Sequence, residues 1–248
     1  MLENNTSRSV KPYARKDDTE AMTRVRECRE FNGEVQFMIT DNRPWWISKH
    51  KPLLKKLSNY ESMDIDRDDE VHCFPRVNVG LKRYHKELRI DPQKSSYSMK
   101  DFRDLLRSSY SLKRVKAIKM RDGQHEKPRL MIVSRKRSRS FTNTAQIAEM
   151  AKSLNFEVIV KEVVGSMWGF AVNSCDVLLG VHGASLTNIL FLLQNAVFIQ
   201  VVPYGGFALE WLATNDFGKS SKDMNIKYLE YKIRLEESTL IHLHPWMK

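Results

Sequence analysis

Nine consecutive residues, Gly180-Val181-His182-Gly183-Ala184-Ser185-Leu186-Thr187-Asn188, join two apolar runs through glycine, alanine and short polar side chains. Gly183, Ala184 and Ser185 let a ligand come close to the backbone, and free N–H groups at a helix start favour an anion such as phosphate. The same residues also suit a plain strand-to-helix turn with a partly buried histidine. The spacing is neither Gly-x-Gly-x-x-Gly nor the Lys-Ser/Thr ending of a P-loop. A second chemical group is Ser134-Arg135-Lys136-Arg137-Ser138-Arg139, whose guanidinium groups can grip phosphate oxygens bidentately while Ser134 or Ser138 adds a hydroxyl. A third is Pro203-Tyr204-Gly205-Gly206 followed by Glu210 and Trp211, which offers a carboxylate to bridge two ribose hydroxyls and rings to pack on a base. Together the three groups point to a nucleotide.

The elements that must position these groups read as regular α/β alternation. Arg129–Ser134, Glu157–Val163, Asp176–Val181, Val197–Val202 and Ile226–Ile233 read as strands, and Leu186–Leu193 as the start of a buried helix. Thr144–Leu154 reads as a helix capped by Asn143, with Ile147, Met150, Ala151 and Leu154 on one face. Strands separated by helices imply right-handed crossovers and a parallel sheet, so the three groups share its carboxyl-end rim. Between Val163 and Asp176 only about a dozen residues remain for a crossover. Residues 167–174 supply about two helical turns, which Gly169 weakens, so a stunted crossover or local disorder is expected.

Before this region, residues 1–30 read as a loose polar arm, Glu34–Thr40 as a strand and Trp45–Tyr60 as a helix with Pro44 in its first turn. Trp46, Leu53, Leu54 and Leu57 share one face, with Trp45 and Trp46 as core or staple residues. Asp64-Ile65-Asp66-Arg67-Asp68-Asp69 contains an Asp-x-Asp of the kind that holds a divalent metal, but reads better as a solvated acidic loop. Glu70–Gly80 reads as a strand and turn, and His85-Lys86-Glu87 as an exposed loop or helix start. Ser98, with Asp101 three residues on, caps a helix carrying Phe102, Leu105, Leu106 and Tyr110. The expected domains are residues 31–112, a charged linker at 113–128, and 129–240.

The 248 residues carry 41 Lys and Arg against 30 Asp and Glu, a formal net charge of +11. Lys113–Arg139 alone holds eleven basic and two acidic residues, which points to an anionic partner. The cluster lacks interleaved aromatics and no nucleic-acid module is visible, so a nucleic-acid partner is not expected. Cys28, Cys73 and Cys175 lack zinc-ligand spacing, and a Cys28–Cys73 bridge stays open. No apolar run approaches the roughly 20 residues of a membrane span, and no signal-peptide h-region is visible. Asn4-Asn5-Thr6 and Asn5-Thr6-Ser7 match the glycosylation sequon, which matters only in a secreted protein.

The segments SRKRSRSFTN (134–143), NSCDVLLGVHGASLTNILFL (173–192) and QVVPYGGFALEWLA (200–213) resemble plant glycosyltransferase family 61 proteins that place arabinofuranosyl or xylosyl groups on xylan. The similarity extends to residues 33–54 and 68–88. The resemblance implies a GT-B fold of two Rossmann-like domains, of which the N-terminal, acceptor-side one is incomplete here. It implies a UDP-sugar donor, a polysaccharide or glycan acceptor, inverting transfer, no obligatory metal or other cofactor, and a Golgi membrane protein. Arg135 and Arg139 would contact the diphosphate, His182, Gly183, Ala184, Ser185, Thr187 and Asn188 would form the donor loop, and Glu210 would meet the ribose. No catalytic base is assigned.

Two motifs depart from the family pattern. The family loop reads His-Gly-Ala-Gly-Leu-Thr-Asn, where position 185 is Ser, and Leu-Pro-x-Gly-Ala becomes Leu192-Leu193-Gln194-Asn195-Ala196. A segment rich in Gly, Asn, His, Phe and Asp is missing near Glu27–Phe31, and neither the family's anchor nor its usual C-terminal part is found. The expectation is a truncated form, or else a catalytically inactive binding relic.

Overall fold

A computed structural model describes residues 35–69, 72, 77, 89–91, 93, 95–119, 126–136, 138–162, 168–205, 207–243 and 246. The arm at 1–30, almost all of Glu70–Gly80, the group at 85–87, Cys28, Cys73, Arg137 and Gly206 lie outside the described residues. The chain divides into two compact units, Met1–His85 and Lys86–Lys248.

In the first unit the expected strand at 34–40 is reduced to β1 (Met38–Ile39), paired in parallel with β2 (Met63–Asp64). Helix α1 (Pro44–Leu57) joins them; Pro44 opens it, where a missing N–H costs nothing, and Lys55 and Lys56 complement its negative end. Trp45 and Trp46 are not core residues as the sequence implied, being 65% and 40% exposed. A ladder of two residues per strand has too little apolar face to cover them, and Trp46 instead lies against His50 one turn on, with ring centroids 4.5 Å apart. The Asp-x-Asp closes the loop: Asp64 accepts a bond from Asn42 at 2.9 Å and Asp66 one from the Asp41 N–H at 2.6 Å. Among the described residues no cluster of three or more His, Cys, Asp and Glu could hold a metal.

The second unit is built on a parallel five-stranded sheet of β3 (Arg129–Ser134), β4 (Glu157–Glu162), β5 (Val177–Val181), β6 (Val197–Val202) and β7 (Lys227–Lys232). The order is β4-β3-β5-β6-β7, a Rossmann-like arrangement. It reverses direction between β3 and β5. Leu130, Ile132 and Val177 form one core layer with Ala148 and Ala151 of helix α3 (Thr144–Ser153). On the other face Met131, Leu178, Phe198, Gln200 and Val202 are almost fully buried. This alternation follows from the two-residue period of a strand covered on both faces.

Three helical readings need correction. In α3 the buried positions are Ala148 and Ala151, whereas Met150 and Leu154 are 66% and 65% exposed. The short alanines let the helix approach the sheet, turning the larger side chains to solvent. Asn143 occupies the cap position but makes no side-chain cap bond. The run after His182 is a 3₁₀ helix (Ala184–Phe191) rather than an α-helix, with Leu186 and Ile189 buried three residues apart as the tighter turn requires.

The crossover from β4 to β5 is stunted, with the six-residue helix α4 (Trp168–Asn173). Its Gly169 has a structural use, since a β-carbon there would lie 3.1 Å from the Phe191 ring. Helix α2 (Met99–Ser109) carries the expected capping box of Ser98 and Asp101 and buries Leu105 and Leu106. It packs on the 3₁₀ helix and on α6 (Lys219–Asp223), so it belongs with the sheet. Between α5 (Phe207–Leu212) and α6, the helix widens to π geometry over Ala213–Gly218. Residues 113–119 also attach to the sheet. Asp176 accepts bonds from Arg114 at 2.7 Å, the Ile118 N–H at 3.0 Å and the Arg129 N–H at 2.9 Å.

Candidate functional site

The reversal of strand order leaves the loops after β3 and β5 next to each other at the carboxyl ends of the strands, the place where open α/β sheets bind ligands. The first loop carries Arg135 and Arg139, and the second carries His182 and Gly183. They meet. A β-carbon on Gly183 would collide with Arg135 Nη1 and lie 3.1 Å from Arg139 Cζ. Gly183 itself has φ 151 and ψ 176, a conformation that is essentially glycine-only. Arg139 adopts a left-handed φ of 52, uncommon for a residue with a side chain. Unusual backbone on both sides of one contact is a feature of binding sites.

Two buried polar atoms at this place lack partners, Arg135 Nη1 and Ser185 Oγ. A buried donor without an acceptor costs about 1–3 kcal/mol, more when charged. Burial and then the neighbouring Arg139 charge lower the pKa of Arg135. An anion over Gly183 would supply the acceptors and offset the repulsion between the arginines. Lys136 does not join them, because its ammonium pairs with Glu162 at 2.7 Å. The basic run is in fact divided by β3: Arg129 meets Glu157 and Arg114 meets Asp176 at the opposite end, about 20 Å away for six residues of strand.

The other loop residues have local work. Thr187 Oγ1 donates to the Ala184 carbonyl at 2.8 Å and Asn188 Nδ2 to that of Ser185 at 2.7 Å, so both side chains hold the first turn of the 3₁₀ helix. Ala184 is exposed at its start. Gly180 leaves room for Leu186, whose methyl would lie 2.6 Å from an added β-carbon. Glu210 stands on α5 and pairs with Lys232 at the end of β7, 2.5 Å away. Tyr204 is 45% exposed after β6, whereas Trp211 is partly buried.

His182 is buried, and its backbone N–H donates to the Val201 carbonyl at 2.8 Å. Burial lowers the imidazole pKa, and the Arg139 and Arg135 charges lower it further, so the ring is held neutral. Its edge meets the Phe217 ring, with centroids 5.5 Å apart. Nδ1 lies 2.5 Å from the side-chain amide of Gln200. That amide lies 3.0 Å from Tyr228 Oη, which in turn lies 2.6 Å from Glu230 Oε2. Gln200, Tyr228 and Glu230 were not singled out from sequence, although a glutamine in the apolar run VFIQVV was a visible irregularity.

The profile of the Glycosyltransferase 61 family matches residues 69–199. The chain is 46% identical over 222 residues to Alpha-1,3-arabinosyltransferase XAT2 of Oryza sativa subsp. japonica, an alignment covering 87% of this chain and 38% of that protein. It is 41% identical over 222 residues to Beta-1,2-xylosyltransferase XYXT1 of the same organism, covering 88% and 47%. Against Xylan glycosyltransferase MUCI21 of Arabidopsis thaliana, identity is 31% over 230 residues, covering 86% and 46%. The chain therefore spans less than half the length of each of these relatives.

Proposed function

We propose, from the premise that the chain belongs to the Glycosyltransferase 61 family, that its second unit is the donor half of a xylan pentosyltransferase. The donor is a UDP-pentose, xylose or arabinofuranose, and the acceptor a hydroxyl of a xylan-type polysaccharide. The observation that carries this reading is the contact of Arg135 and Arg139 with Gly183, beside the unpartnered Arg135 Nη1 and Ser185 Oγ. Four plant relatives named as arabinosyl- or xylosyltransferases, at 41–46% identity, support the pentose.

In this reading the diphosphate lies over Gly183 between the two arginines, and Ser185 donates its hydroxyl where the family loop has glycine. Thr187 and Asn188 shape the loop. Glu210 meets the ribose by exchanging its bond with Lys232 for the two hydroxyls. Transfer is inverting: the acceptor hydroxyl gives its proton to a general base and its oxygen bonds to the anomeric carbon as the bond to the diphosphate breaks, and the arginines stabilise the charge that develops on the leaving group. No metal is required where two guanidinium groups take that role.

The donor half comprises the sheet region of residues 129–240 with helix α2 packed on it. The preceding unit supplies the acceptor side of a GT-B-like architecture, and the enzyme works in the Golgi. Among the described residues no helix is long and apolar enough to cross a membrane. Isothermal titration of the protein with UDP tests the donor site. Saturable binding that is lost in Arg135→Ala is expected, and absence of binding to the folded chain at millimolar UDP would sink the reading.

A further inference from the structure

The contacts behind His182 have a direction, and it decides which ring nitrogen carries the proton. The tyrosine hydroxyl of Tyr228 has one hydrogen and two neighbours, Glu230 Oε2 at 2.6 Å and the Gln200 amide at 3.0 Å. A carboxylate oxygen can only accept, and a charge-assisted bond is the stronger of the two, so the hydrogen goes to Glu230. Burial, then the bond to Glu230, raises the pKa of Tyr228 far above the ordinary phenol value, which keeps that hydrogen in place.

Tyr228 Oη is then an acceptor toward Gln200, and only the amide nitrogen can donate to it. Amide nitrogen and oxygen are assigned by the partners they must satisfy. In the structure Gln200 Nε2 is the atom 2.5 Å from His182 Nδ1 and Oε1 the atom 3.0 Å from Tyr228 Oη, an arrangement that leaves two oxygens facing each other once the Tyr228 hydrogen goes to Glu230. Turning the amide over puts Nε2 toward Tyr228 and the oxygen toward Nδ1, from which it must receive a hydrogen.

We propose that Glu230, Tyr228 and Gln200 are positioning residues that form a one-way donor relay, holding the proton of His182 on Nδ1 and leaving Nε2 as a hydrogen-bond acceptor. Such an Nε2 takes a bond from a hydroxyl of the sugar nucleotide and cannot donate one to its diphosphate. The identity of that hydroxyl rests on the nucleotide-sugar reading above, whereas the relay does not.

The register of the sheet explains why these residues meet. Gly180, Gln200 and Glu230 are aligned partners across β5, β6 and β7, and Tyr228 sits two residues before Glu230 on the same face. Gln200 is fully buried, so its amide has no water to turn toward. Glu230 Oε2 also accepts from Thr214 Oγ1 at 3.4 Å, and its other oxygen, Oε1, lies 3.8 Å from the Lys232 ammonium. The charges that act on His182 are those of Arg139 and Arg135, which disfavour its protonation, and that of Glu230, which favours it.

The test is the histidine tautomer in multiple-bond proton–nitrogen spectra of the ligand-free protein above neutral pH, with His182 assigned by loss of its signals in His182→Gln. The expected result is a neutral ring protonated on Nδ1. A ring protonated on Nε2 would overturn the relay. Tyr228→Phe keeps the ring but removes the oxygen, and Glu230→Gln lets position 230 donate as well as accept. In whichever of the two remains folded, the single tautomer is expected to give way to a mixture or to the Nε2 form; an unchanged spectrum sinks the proposal. UDP titration of the same sample separates the two readings: an Nδ1 tautomer without UDP binding removes the nucleotide and keeps the relay, and UDP binding with an Nε2 tautomer does the reverse.

Discussion

The guanidinium of Arg135 occupies the space that any side chain at position 183 would need. The basic loop after β3 and the small-residue loop after β5 are thus fitted to each other, and what remains between them is lined by donors without acceptors.

Arg135→Ala should weaken UDP binding while leaving the fold intact. Charge-assisted bonds contribute about 1.5–3 kcal/mol each, so the dissociation constant is expected to rise roughly 10- to 150-fold. Because a buried donor and a repulsive charge are both removed, the melting temperature should hold or rise. Calorimetric titration and differential scanning fluorimetry read the two effects, and an unchanged affinity would remove Arg135 from the site.

At Gly183, alanine would be strained by the φ of 151 and would push both arginines outward. The backbone strain alone is of order 1–3 kcal/mol. Gly183→Ala is therefore expected to lower the denaturation midpoint and the UDP affinity together, measured by urea unfolding and titration. Wild-type affinity in this variant would show that the arginines do not need to sit against the loop.

Asp176 is a structural hub at the opposite end of the sheet. Its carboxylate serves Arg114 and two backbone N–H groups, so Asp176→Ala leaves a partly buried guanidinium and two donors unsatisfied. Breaking a buried pair from one side costs about 3–5 kcal/mol. Urea unfolding should show a loss of that order. A change below about 1 kcal/mol would mean that residues 113–119 are not held by this carboxylate.

The depressed pKa of His182 makes part of the stability depend on pH. The unfolded histidine binds its proton near pH 6.5 while the folded ring stays neutral to lower pH, so the stability it contributes is present above about pH 6.5 and is lost as pH falls toward the folded pKa. The melting temperature of wild type should therefore fall more steeply on acidification than that of His182→Gln. Parallel curves between about pH 8 and pH 5 would contradict a neutral buried ring.

Much of the second unit was legible because its strands are short apolar runs separated by polar turns. Arg129–Ser134 and Val197–Val202 fold with the bounds their sequence implies. The six-residue helix α4 follows from the shortage of chain between β4 and β5. The choice of Met150 and Leu154 as a buried face of α3 failed because period alone does not say how close the helix approaches the sheet. The tryptophans of α1 failed for a related reason: large apolar side chains are buried only if enough partner surface exists, and two-residue strands do not supply it.

Residue types alone determined that Arg135, Arg139, His182 and Gly183 belong to loops that follow parallel strands, because strand period, turn chemistry and charge are local properties. Tertiary structure decided that Arg135 and not Lys136 faces Gly183, that Glu210 is engaged by Lys232, and that Gln200, Tyr228 and Glu230 stand behind His182. Those relations depend on strand order and on register across β5, β6 and β7, which join residues up to about fifty positions apart and leave no periodic trace in any one segment.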